Sequence, residues 1–248
     1  MNRILSDAID AHGGFERWRS VAAIGVESDS GGELLDRKVV QSLGPLWIVA
    51  ETGVQECRIA PVGSNDRIVI SSANRTVMET GEGDVLAERT DPRAAFAGHD
   101  LDTPWDPLHG MYFASYAMWS YLTAPFSLAL PGVQLWDIDP IEENGETWRG
   151  LRAVMPEGIA THSRAQEFYF GADGLLRRQD YTLDIADGSR IANYALDIVD
   201  VDGIRIASKR RAYLCNKTYD VLRDRLIIRL DLGNFQLNPP RPGRGPHP

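Results

Sequence analysis

Ile4, Leu5, Ala8, Ile9 and Ala11 recur at helical spacing and Gly13-Gly14 ends the run, so the pattern predicts a helix over residues 3–11. Residues 15–20 add one further turn anchored by Trp18. From Ala22 to Glu88 the period falls to two. Short alternating or β-branched runs at 39–42, 47–51, 56–59, 67–71 and 75–79, separated by Gly, Pro, Asn and Asp, predict an antiparallel meander. A polar loop at 91–103 interrupts it. Strands are expected again at 134–139, 147–155, 161–170, 175–185, 192–199, 204–213 and 225–232. From Asn238 the chain is rich in Pro, Gly and Arg, a composition that predicts a disordered tail.

Between the two runs of strands lies PWDPLHGMYFASYAMWSYLTAPF, residues 104–126. Pro107 suits an early helical position and Asp106 suits the cap before it. The predicted helix carries Trp105, Tyr112, Phe113, Tyr116, Trp119, Tyr121 and Phe126. Tyr and Trp are large apolar bodies with polar tips and suit a wall that is half wet and half apolar. Tyr112, Tyr116 and Trp119 fall at i, i+4 and i+7 and form one stripe. His109 stands in the first turns beside Gly110.

The most legible hairpin joins 161–170 to 175–185 through GADG, where Asp173-Gly174 is a strong turn signal. Strand parity assigns Ser163, Glu167, Arg178, Asp180, Thr182 and Asp184 to a solvent face. The other face receives His162, Arg164, Gln166, Phe168, Phe170, Leu175, Gln179, Tyr181, Leu183 and Ile185. That second face is apolar at one end and polar at the other, as the lining of a ligand cavity would be.

Four stretches in order, AHGGFERW (11–18), ERTDPRAAF (88–96), the aromatic segment and THSRAQEFYFGADGLLRRQDYTLDI (161–185), resemble a group of largely uncharacterised bacterial proteins with the fold of LolA-type lipoprotein carriers. The resemblance implies an α+β architecture, mostly antiparallel β: a single curved sheet, an open half-barrel enclosing helices on its concave side. One domain would cover residues 1–237. The aromatic helix would sit in the mouth of the half-barrel, faced by His162, Arg164 and Tyr181. Periplasmic carriers have export signals, whereas Asp7 and Asp10 interrupt the N-terminal apolar run here. Lipoprotein transport is therefore disfavoured and a cytoplasmic location is expected.

Charge narrows the partners. A formal net charge of −9 argues against nucleic acid and anionic membrane surfaces. The one basic run, Lys209-Arg210-Arg211, reads as a solvated strand end. No apolar run approaches the length of a membrane span. Cys57 and Cys215 match no metal or redox spacing and are expected as buried free thiols. Five scattered histidines give no metal site, and no nucleotide or serine-hydrolase motif occurs, so no cofactor is expected.

Two readings share the expected cavity. In the first the protein binds a hydrophobic small molecule, lipid-like or polyketide-like, through His109, Tyr112, Tyr116, Trp119, His162, Arg164, Gln166, Gln179 and Tyr181. In the second it is a cofactor-free cyclase, isomerase or dehydratase acting on an apolar intermediate, with His162 as proton shuttle and Tyr112 or Tyr116 as hydrogen-bond donor. His12 is either a base at the cavity edge or a residue stabilising a helix C-terminus.

Overall fold

Two meanders share one sheet in the computed structural model, which describes residues 2–38, 45–61 and 66–242. The first contains β1 (Ala23–Gly31), β2 (Leu46–Glu51), β3 (Glu56–Pro61), β4 (Arg67–Ser72), β5 (Arg75–Thr80) and β6 (Val85–Thr90). The second contains β7 (Gln134–Glu143), β8 (Glu146–Val154), β9 (Ala165–Phe170), β10 (Leu176–Leu183), β11 (Ser189–Val201), β12 (Ile204–Cys215) and β13 (Val221–Leu237). Antiparallel pairing of β1 with β13 fuses them in the order β6-β5-β4-β3-β2-β1-β13-β12-β11-β10-β9-β8-β7. A twisted sheet of this width curls. Its edges β6 and β7 do not pair, so it stays an open half-barrel, as expected.

Those two edges are consecutive in the chain. The connection between them must cross the concavity, and it carries the helix α4 (Pro107–Thr123). Three shorter α-helices are also found among the described residues: α1 (Arg3–Ala11), α2 (Gly14–Trp18) and α3 (Glu33–Arg37). The spacing-based boundaries of α1 hold. Asn2 caps it by accepting from the Leu5 amide at 3.2 Å, and Leu5, Ala8 and Ile9 form its buried face. α3 was not foreseen. The predicted strand over 39–42 lies outside the described residues.

One large core fills the concavity, running from Leu5 and Ile9 through Ile24, Val26 and Ile48 to Trp119, Phe170, Leu183 and Ile228. A smaller cluster of Trp148, Tyr169, Ala192, Tyr194 and Cys215 lies apart from it. Its presence corrects the reading of the 161–185 hairpin. Asp180, assigned to solvent, is 2% exposed and forms a two-pronged ion pair with Arg178, both contacts at 2.7 Å. Arg178 also reaches Glu143 and the Tyr194 hydroxyl, so this second face of the sheet is covered where a purely alternating pattern predicts water.

Beyond β13, Asn238 caps the sheet by accepting from the amides of Ala22 at 2.6 Å and Ala23 at 3.3 Å. Arg241 makes a two-pronged pair with Glu51 at 2.7 and 2.9 Å. Residues 243–248 are outside the described range.

Candidate functional site

Asp106 sets the start of α4. Its carboxylate accepts from the His109 amide at 2.9 Å, while Nδ1 of His109 accepts from the Asp106 amide at 3.2 Å. Pro107 occupies the first turn. Nε2 of His109 lies 3.2 Å from the Ala95 carbonyl, so this nitrogen carries the proton. His109, expected on a ligand wall, is thus placed as part of a helix cap. From Leu108 to Thr123 all residues of α4 but Ala114 are buried, which marks an interior helix.

The two sides of α4 face different spaces. On one, Gly110, Ala114 and Ala117 repeat at i, i+4 and i+7 and keep the helix surface low. Together with Met111, Phe113, Met118 and Tyr121 they line an apolar pocket of about 130 Å³. Its opposite wall is Ser28 and Ser30 of β1, Leu35 of α3, Leu46 and Ile48 of β2, and Ile228 and Leu230 of β13. None of the nine residues predicted to bind a ligand lines this pocket. The small-residue repeat was the sequence signal for it, hidden beside the more conspicuous aromatic stripe.

The stripe itself divides. Tyr112 donates to the Ala73 carbonyl at 3.3 Å, and Trp119 Nε1 donates to the carbonyls of Glu51 at 2.8 Å and Val54 at 3.1 Å. Both line a wide open groove of about 910 Å³ whose walls include Asn74, Arg93, Glu157, Arg164 and Asp184. Tyr116 lies inside the core. Its hydroxyl has no partner among the described residues, and burial raises its pKa well above the usual phenol value.

Beyond Tyr116 a buried polar cluster joins α4 to the second meander. The Tyr121 hydroxyl is 2.8 Å from Nε2 of His162 and 3.1 Å from the Tyr181 hydroxyl. The His162 ring stacks on Tyr181 at 4.0 Å and meets the edge of Tyr116 at 5.1 Å. Gln179 donates to Gln166 at 2.6 Å and Gln166 donates to the Ser163 carbonyl at 2.8 Å. Burial, then Arg93 and Arg210, push the His162 imidazole down to about 3, so it is neutral near pH 7. His12 is lowered to about 4, chiefly by burial, with one ring nitrogen 2.7 Å from the Ala8 carbonyl. The cluster brings together Gln166, Gln179 and Tyr181, as their shared face predicts, and His162 joins it from the chain just before β9.

Arg164 departs from that face. β9 begins only at Ala165, so the alternation does not extend back to Arg164, whose side chain is exposed and pairs with Glu157 at 3.4 Å. On β10 the register shifts between Leu176 and Arg178, so Leu176 rather than Leu175 enters the core while Gln179 and Tyr181 keep their parity.

The basic run at 209–211 also requires correction. Arg210 is only 2% exposed. It shares strand parity with the buried Ile204, Ile206 and Ala212, a signal outweighed in the sequence by the two charged neighbours. Its Nη2 donates to the Tyr121 carbonyl at 3.3 Å and its guanidinium lies 4.5 Å over the Tyr121 ring. Burial lowers its pKa to about 10, which leaves it charged at neutral pH.

Among the described residues no group of three His, Cys, Asp or Glu side chains could hold a metal ion, and no helix is long and apolar enough to cross a membrane. Cys57 and Cys215 are free and buried, as expected. The Cys57 thiol donates to the Ser115 carbonyl at 3.2 Å, and burial raises its pKa.

No family model matches the chain, and no curated protein matches it. Solved structures do. A DUF1329 family protein from Desulfovibrio piger superposes with a TM-score of 0.53 at 10% identity, covering 95% of this chain and 92% of that one. The LolA superfamily protein NE2245 from Nitrosomonas europaea gives 0.49 at 7% identity, with 95% and 92% covered. A putative outer membrane lipoprotein-sorting protein domain from Vibrio parahaemolyticus gives 0.48 at 7% identity, with 95% and 91% covered. The likeness to the DUF1329 family protein is one of fold alone.

Proposed function

We propose that the protein binds a hydrophobic small molecule, lipid-like or polyketide-like, in the pocket between α4 and strands β1, β2 and β13. The carrying observation is the pocket itself: an apolar space of about 130 Å³ walled by Met111, Met118, Phe113, Ile48, Ile228 and Leu230, with Ser28, Ser30 and Asp36 as its polar lining. Cavities of roughly 150 Å³ accept benzene, whereas a drug-sized ligand needs roughly 300–1,000 Å³. The pocket as it stands therefore takes one ring or a short chain segment. Two unbranched methionines in the wall give it the means to widen around something larger.

A catalytic role for His162 has less support. His162 lines neither the pocket nor the open groove, and an imidazole titrating near 3 is poorly matched to acid–base work at neutral pH.

The test is native mass spectrometry of protein purified from its own host, followed by titration of the ligand-stripped protein with benzene while the Met111 and Met118 methyl NMR signals are observed. A copurifying apolar species and benzene-dependent shifts that disappear in Ala117→Phe, which fills the pocket, are expected. Absence of both a copurifying species and any methyl shift rejects the proposal.

A further inference from the structure

The ligand's chemical class can be narrowed by one buried cation that lacks an anion. Arg210 contributes a permanent positive charge to the core, yet among the described residues no carboxylate pairs with it. Among the described residues its Nε and Nη1 have no hydrogen-bond partner, and the bond its Nη2 makes to the Tyr121 carbonyl is long at 3.3 Å. Buried charges in folded proteins are almost always paired, and buried donors almost always find an acceptor. A buried guanidinium with unused donors has the chemistry to hold an anion.

Its position links it to the pocket. Arg210 on β12 lies directly across from Leu230 on β13, and residues opposed in neighbouring strands project on the same face. Leu230 lines the pocket, as does Tyr121, whose ring the guanidinium covers. Arg210 thus stands beside the apolar space, one strand beyond Leu230 and against the Tyr121 ring. On the other side Leu230 faces Ser30 of β1, so Arg210, Leu230 and Ser30 form one row across three strands. An apolar pocket beside a buried cation with unused donors suits a molecule with a greasy body and one negative head.

We infer that the pocket's ligand is a hydrophobic carboxylic acid whose carboxylate pairs with Arg210. This deepens the proposed function and rests on it. A carboxylate matches the site better than a phosphate group does. It brings one negative charge to one guanidinium, and its two oxygens suit the planar donor array. The neighbouring imidazoles of His12 and His162 are neutral and supply no second cation for a doubly charged head. For the head to reach Arg210 the Tyr121 ring must shift, and its hydroxyl can then exchange His162 and Tyr181 for a carboxylate oxygen.

The experiment compares octanoate with octan-1-ol, identical in carbon chain and different in head. Each is titrated into the ligand-stripped full chain and followed by the Met111 and Met118 methyl signals. Octanoate is expected to bind roughly 10- to 100-fold more tightly than the alcohol, the range of a charge-assisted hydrogen bond. Arg210→Met should abolish that preference while octanol binding persists, and Arg210→Lys should retain part of it. Equal binding of the two by the unaltered protein overturns the carboxylate assignment and leaves the apolar pocket standing. A preference that survives in Arg210→Met also overturns it. Methyl signals indifferent to both compounds, and to benzene, reject the pocket reading itself. Should Arg210→Met fail to fold, the octanoate-to-octanol ratio of the unaltered protein and of Arg210→Lys still decides.

Discussion

The hydroxyl of Tyr121 sits 2.8 Å from Nε2 of His162. This contact binds the C-terminal end of α4 to the chain just before β9, and the Tyr181 hydroxyl at 3.1 Å extends it to β10. α4 otherwise packs mainly against β2–β6. The hydrogen-bonded trio is therefore a main polar link from the crossing helix to the second meander.

Removing that link should be felt in stability. Tyr121→Phe keeps the ring under the Arg210 guanidinium but strips the partner from two buried groups. Leaving buried polar groups unsatisfied costs about 1–3 kcal/mol. A urea midpoint lowered accordingly, with an unchanged slope, is the expected result; an unchanged midpoint would show that the trio contributes nothing.

Acid should destabilise the fold earlier than carboxylate titration alone would. The unfolded chain protonates His12 and His162 below about pH 6.5. The folded chain keeps them neutral down to about 4 and about 3 respectively. Between those limits the unfolded state holds more protons, so stability is full above pH 6.5 and falls as pH drops, by up to about 1.4 kcal/mol per pH unit for each ring. His162→Phe removes one of the two, and its stability should decline less steeply between pH 6 and pH 4.5, in the range set by the shifts above. Parallel slopes for variant and parent would contradict this assignment.

The start of α4 offers a sharper comparison. Asp106→Ala loses both the cap to the His109 amide and the exposed ion pair with Arg89, and should cost about 1 kcal/mol. Asp106→Asn keeps a capping oxygen and loses only the surface pair, so most of the stability should return. Equal losses in thermal unfolding would assign the effect to the ion pair.

Gly13 turns the chain from α1 into α2 with φ at 120°, and a Cβ there would run into the carbonyl of Gly203. Gly13→Ala should therefore be destabilising by about 2 kcal/mol or more, since strain and a backbone clash coincide. Gly14→Ala also has a positive φ but meets open space, and should cost less. Urea unfolding of the two variants separates the clash from the strain.

Much of the fold was legible because its signals are local. The limits of α1, Pro107 and Asp106 at the start of α4, most strand positions and the parity that places Gln166, Gln179 and Tyr181 on one face all follow from neighbours within a few residues. Composition added that Cys57 and Cys215 would be buried and free.

What tertiary structure decided were matters of which surfaces meet. Pairing of β1 with β13 made one sheet of two meanders and forced the connection between its edges to cross the hollow. That crossing turned the small face of α4, Gly110, Ala114 and Ala117, toward β1, β2 and β13, and sent Tyr112 and Trp119 to the open groove. The late start of β9 released Arg164 to water, while the covered second face buried Asp180. Arg210 sits in the core though its own sequence neighbours are charged. Periodicity tells which residues share a face, because side-chain direction is fixed by the local backbone. It does not tell what lies opposite, because that depends on strands and helices brought together from distant parts of the chain.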